Sequence, residues 1–236
     1  MNTKKNRLQG VIAVSALLAG TGLVQGELVF QQTINEDLLG FGFQSVPEQT
    51  ANDGFWDFLH ADNFTLESSA PVDRIRFWGF ASTFAGGGFS NINSFEITLF
   101  DSTGTQPGQA LTSMTFDLND VQTKSTGLIG AGGAEILEHF VELDTPLAID
   151  GNTEYWLAIA AGLDNPNGDF WLWQDSVDGD LTVADFQYSL GQWNITGPDS
   201  PVPADSAFEL YAIPAPGALA LLGFAGLFTR CRRRST

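Results

Sequence analysis

The stretch Ser94-Phe95-Glu96-Ile97-Thr98-Leu99-Phe100-Asp101 decides the fold class. In an extended chain Phe95, Ile97 and Leu99 fall on one side and Glu96 and Thr98 on the other, because successive strand side chains point to opposite faces. That predicts a strand with one face in a core and the other toward solvent. Working outward, apolar alternation returns in Leu28–Thr33, Asp62–Leu66, Asp73–Phe80, Leu111–Leu118 and Glu138–Leu143. It continues in Thr153–Ala160, Phe170–Asp175, Phe186–Ser189 and Ala207–Ala212. In the last of these Phe208 and Leu210 face opposite to Glu209 and Tyr211. Clusters of Gly, Asn, Asp and Pro separate the segments, with Gly151-Asn152 and Asn167-Gly168 reading as turns. Phe84 to Gly88 and Gly127 to Gly133 read as glycine loops, and neither continues into Gly-Lys-Ser/Thr, so neither is a phosphate loop. The expected fold is all-β: a single antiparallel β-sandwich, jelly-roll-like, over residues 27–212.

Both ends of the chain read as addresses. Lys4, Lys5 and Arg7 precede an apolar run from Val11 to Val24, and Val24-Gln25-Gly26 supplies small residues for cleavage. Residues 1–26 are therefore expected to be a signal peptide, a substrate of signal peptidase cut after Gly26. The alternative, an uncleaved anchor, is disfavoured by Gly20, Gly22 and the shortness of the run. At the other end, Ile213-Pro214-Ala215-Pro216-Gly217 leads into an apolar run to Phe228, then Arg230-Cys231-Arg232-Arg233-Arg234. Ile213 to Thr229 would cover about 25 Å as a helix, near the lower limit for a bilayer. A transmembrane helix is expected over about 217–229, with the arginines at 230–234 held in the cytoplasm and everything before Ile213 outside.

This tail, residues 213–236, resembles the PEP-CTERM sorting signal: a Pro-Glu-Pro box, a transmembrane helix and a basic end. Here the box reads Pro214-Ala215-Pro216 followed by Gly217, with Ala in place of Glu, and Arg230, Arg232, Arg233 and Arg234 form the basic end. The resemblance implies an exosortase-type processing enzyme as partner and surface sorting in a bacterium that makes exopolysaccharide. It covers about a tenth of the chain and implies nothing about what the cargo does. Ala61-Asp62-Asn63-Phe64-Thr65-Leu66, Ile75-Arg76-Phe77-Trp78-Gly79, Tyr155-Trp156-Leu157-Ala158-Ile159, Phe170-Trp171-Leu172-Trp173 and Ala207-Phe208-Glu209-Leu210-Tyr211 are together similar to a recurrent secreted β-sandwich domain of unassigned activity. That likeness implies a fold and carries no functional residues.

Charge narrows the partners. All 28 acidic residues lie between the two terminal segments, where Arg74, Arg76 and Lys124 are the basic residues. Three basic against 28 acidic residues leave that part a formal charge of −25. Such a surface repels nucleic acid and anionic lipid, which excludes both as partners. The charge serves solubility, or some of the carboxylates converge on Ca²⁺, a cation that prefers oxygen ligands. The one cysteine, Cys231, sits in the tail, so the exported part has no disulfide and relies on its core.

Groups that carry chemistry are sparse. His60 and His139 are the two histidines and stand in no metal-ligand spacing; His139 alternates with Leu137 and Val141 as a strand residue would. There is no Gly-x-Ser-x-Gly elbow, and among 28 acids some pair will approach by chance, so a glycosidase pair has no specific signal. The best metal candidate is Asp175-Ser176-Val177-Asp178-Gly179-Asp180 with Asp185 beyond, where carboxylates alternate around a glycine without an EF-hand pattern. A second Asp/Asn turn is Asp164, Asn167 and Asp169, and turn propensity favours solvated hairpin turns for both stretches. Of six tryptophans, Trp171 and Trp173 are two apart and share a face. They are either core or a platform for glycan rings, with Phe170 and Leu172 on the opposite face. The expected function is a non-enzymatic structural or binding component of the cell envelope or extracellular matrix, with possible contact to exopolysaccharide. The alternative is a carbohydrate-binding module, more distantly a glycosidase.

Overall fold

A computed structural model describes residues 26–34, 36, 39, 42–48, 58–83, 92–130, 133–164, 169–176, 178–198 and 205–213. They form strands β1 (Glu27–Gln32), β2 (Gly42–Gln44), β3 (Phe58–Thr65), β4 (Ala70–Thr83), β5 (Ile92–Ser102), β6 (Pro107–Asp117) and β7 (Gln122–Ile129). After these come β8 (Glu135–Ile149), β9 (Glu154–Leu163), β10 (Asp169–Ser176), β11 (Val183–Gln187), β12 (Gln192–Thr196), β13 (Asp205–Ser206) and β14 (Phe208–Ala212). Every strand pairing is antiparallel, and the strands divide into two sheets. One sheet is built around β4, which pairs with β8, β14 and β10 and through them reaches β7, β1, β2 and β13. The other runs β12-β11-β3-β9-β5-β6. No helix among the described residues is long and apolar enough to cross a membrane; the expected helix at 217–229 and the signal peptide before Gly26 lie outside the described residues.

The apolar faces of the two sheets meet. Phe95, Ile97 and Leu99 of β5 are buried with Leu157 and Ile159 of β9, against Ile75 and Phe77 of β4, Trp171 and Trp173 of β10 and Phe208 of β14. Phe77 and Phe95 meet edge to face at 5.1 Å, joining the sheets through one aromatic contact. Gly79 makes room for the next. A Cβ there would collide with the Trp171 ring and stand 2.7 Å from the Leu172 carbonyl oxygen, so only glycine lets β4 pass this close to β10.

Each strand expected from the alternation is present, most of them longer than the pattern suggested. Four were not expected, among them β13 with only two residues. β2 is three residues long, and β7 opens Gln122-Thr123-Lys124-Ser125 with its side chains exposed, so it shows no apolar alternation. β12 contributes only Trp193 and Ile195 as apolar residues. Gly127 was expected to open a loop, yet β7 continues to Ile129, and the register breaks between Ser125 and Ile129 where Gly127 has φ 73°. β11 starts three residues before the expected Phe186, because Val183 and Ala184 pair with Asp62 and Ala61 of β3. The glycine loop at Phe84 to Gly88 and the turn at Asn167-Gly168 lie outside the described residues.

Candidate functional site

One end of the interior is polar. The register of β3 and β11 sets Asp185 opposite His60, and the two side chains meet, Nδ1 to Oδ1, at 2.8 Å. From β13, Ser206 Oγ lies 2.9 Å from His60 Nε2. With Nδ1–H facing the carboxylate, Nε2 accepts from the hydroxyl, an order of contacts that resembles nucleophile, base and orienting acid. The arrangement is closed, since His60 and Ser206 are both 0% exposed. Phe43 stacks on the imidazole at 4.1 Å, and Trp173 meets it edge-on at 5.9 Å. The Ser206 backbone N–H donates to Asp62 Oδ2 at 2.6 Å. With its amide turned to suit these acceptors, Gln32 donates to Asp62 Oδ2 at 3.0 Å and to the Ser206 carbonyl at 2.8 Å.

These contacts tie β1, β3, β11 and β13 together, and the carboxyls answer to their surroundings. Burial, then the nearby Asp205 and Asp180, raises Asp62 well above the usual carboxylate range. Asp205 is also raised, first by burial, while its two oxygens accept the Leu181 N–H at 2.9 Å and the Thr182 N–H at 3.1 Å. Those bonds hold a turn in which Leu181 has φ 62°, a left-handed conformation that a branched residue adopts only under constraint.

The four aspartates read as a calcium candidate do not gather. Asp175, the penultimate residue of β10, is interior and 2% exposed, and burial lifts its carboxyl to about 7. Asp178 accepts the Thr33 N–H at 2.9 Å and the Thr33 hydroxyl. Asp180 accepts from Asn63 Nδ2 at 3.1 Å and from the Thr182 N–H at 2.9 Å, and Asp185 belongs to His60. Among the described residues no group of three or more His, Cys, Asp or Glu is placed to hold a metal ion. Sequence proximity suggested convergence, but the turn between β10 and β11 gives Asp178 and Asp180 different partners, and strand register sets Asp185 against His60. In the second turn Asp164 accepts from Asn93 Nδ2 at 2.8 Å, and Asn167 lies outside the described residues.

Trp171 and Trp173 do share a face, and it is the inner one: both are 0% exposed. Trp171 packs edge-on against Phe95 at 5.4 Å and Phe77 at 6.2 Å, and Trp173 Nε1 donates to the Ala207 carbonyl at 2.9 Å. Neither ring has a surface for a sugar, so a glycan platform on this pair is corrected to core packing. His139 is likewise interior, between Phe77 and Phe95, with burial drawing it down to about 3. The sorting residues Pro214, Ala215, Pro216, Gly217, Arg230, Arg232, Arg233 and Arg234 lie outside the described residues.

The accessible aromatics are elsewhere, on the outer face of the six-stranded sheet. Trp193 of β12 pairs across to Phe186 of β11, with ring centroids 5.1 Å apart. Trp193 also reaches Phe100 of β5 at 5.5 Å, edge to face, and Phe186 contacts Tyr188 at 5.5 Å. Trp193, Phe186 and Tyr188 are half-buried and border a groove of about 350 Å³. The sequence signal was the parity of Phe100 with Thr98 and Glu96, which places Phe100 on the solvent side of its own strand. Trp193 had no signal, because β12 is short and polar. No curated protein and no solved structure matches the chain. A family model does match, across both sheets from β1 to β14: over residues 28–211 the chain belongs to the domain of unknown function family DUF7901.

Proposed function

We propose that the protein is exported and sorted to the cell surface, where it serves without catalysis as a structural or binding component of the envelope or extracellular matrix. In this reading residues 1–26 are a signal peptide, 27–212 the secreted sandwich, jelly-roll-like in type, and 213–236 a PEP-CTERM-like tail. Signal peptidase and an exosortase-type enzyme are the processing partners, and exopolysaccharide is the surrounding polymer. Support comes from the two terminal patterns and from the −25 charge of the part between them, which suits an exterior free of nucleic acid partners.

The observation that carries the non-catalytic part is the closure of the His60 group. A nucleophile must meet its substrate, and His60 and Ser206 are both sealed under Phe43 and Trp173 while the aromatic groove faces solvent. The test is topological. External protease applied to intact spheroplasts is expected to remove the whole sandwich, and an impermeant thiol reagent is expected to leave Cys231 unlabelled. A protected sandwich with Cys231 labelled from outside contradicts the reading. Replacing Arg230, Arg232, Arg233 and Arg234 by Ser should misplace or release the protein, since those charges fix its orientation.

A further inference from the structure

The outer face of the six-stranded sheet is built differently from its inner face. One complete rung crosses all six strands in register: Ile195, Ala184, Ala61, Ala158, Thr98 and Ser113. Three successive alanines form a shallow floor, and they are 0% exposed although they point away from the main core. Phe100 and Trp193 cover them. Phe100 is itself buried, as a covering role requires. Trp193 instead stays half-buried on its outer side, as do Phe186 and Tyr188, and the four rings touch in sequence from Tyr188 to Phe100. Tyr188 is pinned by its hydroxyl, which donates to the Val46 carbonyl at 3.1 Å, so the ridge is anchored at its end.

The opposite wall of the groove is polar. Thr98 Oγ1 donates to Ser113 Oγ at 2.9 Å, and Ser113 Oγ donates to Glu96 Oε1 at 3.2 Å. This chain ends on a carboxylate, which has room for further donors. Glu48 stands at the rim, and none of the described lining residues is basic. A volume of about 350 Å³ suits a ligand of one or two rings rather than a protein segment.

We infer that this groove binds an uncharged polysaccharide, stacking pyranose rings on Phe186, Tyr188 and Trp193 and receiving sugar hydroxyls on Glu96 and Ser113. Flat C–H faces of a pyranose match aromatic faces, and sugar hydroxyls are donors that carboxylates and hydroxyls accept. The same carboxylates, on a domain of charge −25, repel uronate, sulfate or phosphate polymers. The inference rests on the exported reading in one respect, that polysaccharide is found outside the cell.

The test is affinity electrophoresis of the purified full-length chain in mild detergent, through gels containing soluble starch, mixed-linkage β-glucan, galactomannan, xylan or polygalacturonate. Retardation by at least one neutral polymer and by no polygalacturonate is expected. Trp193→Ala should weaken that retardation by about tenfold, the scale of one lost aromatic contact. Because Trp193 also covers the alanine floor, Glu96→Gln serves as a second variant on the solvent face; it should weaken retardation with an unchanged melting temperature. No retardation by any neutral polymer, or retardation indifferent to both variants, overturns the inference. So does retardation by polygalacturonate alone, or a dimer of the chain that Trp193→Ala dissolves, which would give the groove to a second copy. Protease accessibility on spheroplasts is read separately, so an exported chain that fails in every gel sinks the groove and spares the exported reading.

Discussion

Replacing Trp171 by Ala removes one of the two tryptophans in the contact between the two sheets. Trp171 is fully buried, meets Phe95 and Phe77 edge-on, and fills the space that Gly79 leaves free. Loss of a buried aromatic of this size costs ~3–5 kcal/mol, a large share of the ~5–15 kcal/mol that keeps a domain folded. Leu172, its neighbour, faces the other way and is half-buried beside the small cluster of Trp78, Phe80 and Ile136. Its truncation should cost about 1–2 kcal/mol, roughly the transfer of a half-exposed side chain. Phenylalanine substitutions sharpen the comparison. Trp171 Nε1 is buried without a hydrogen-bond partner, whereas Trp173 Nε1 donates to Ala207. Trp171→Phe therefore removes an unsatisfied donor, and Trp173→Phe removes a made bond and should cost about 1 kcal/mol more. Urea unfolding followed by fluorescence measures all four variants. If Trp171→Ala lies within about 1 kcal/mol of wild type, or Leu172→Ala is as damaging, the inward placement of this pair is refuted.

Gly79→Ala should destabilise by an amount comparable with the Trp171 truncation, and combining it with Trp171→Ala should recover part of the loss because the two share one space; a double-mutant cycle on melting temperature reads the coupling. Burial lifts Asp175 to about 7 from an unfolded value near 4, so the folded state holds a proton that the unfolded state has lost, and its contribution to stability fades as pH rises from about 4 to 7. His139 pulls the other way below its usual range, so the effect is read as a difference: Asp175→Asn should gain in melting temperature over wild type between pH 5 and pH 8, and a constant difference contradicts it. Calcium in excess should leave the melting temperature unchanged, because Asp178, Asp180 and Asp185 are hydrogen-bonded to three different partners and Asp175 is buried; a rise approaching the ~2.7 kcal/mol of a ligand at 100 times its dissociation constant, absent from Asp178→Asn with Asp180→Asn, would restore the calcium reading.

The sandwich was legible because the inward face of β5 writes itself as period-two alternation, Phe95, Ile97 and Leu99 against Glu96 and Thr98, although Thr98 is buried as well and β9 is buried on both faces. The same logic failed at the edges, where β7 exposes its side chains and has no pattern to show. The sites were less legible for a different reason. His60, Asp185 and Ser206 are brought together by the register of β3 on β11 and by the two-residue β13, and nothing local in the chain records that register. The aspartates around Gly179 looked like one group because they are neighbours in sequence, but their turn hands each to a separate partner. Tryptophan position alone left core and surface both open. The conspicuous pair on β10 fills the core, and the solitary Trp193 on a short polar edge strand lies at the surface.

The most direct measurement is the share of the protein that sediments with washed extracellular matrix and cell envelope, compared between wild type and Ser206→Ala. On the proposed reading the protein is predicted to be found there, shortened by its signal peptide, in equal share for both forms, since Ser206 is buried against His60. Wild-type protein recovered in the cytosol with its first 26 residues intact would contradict the account.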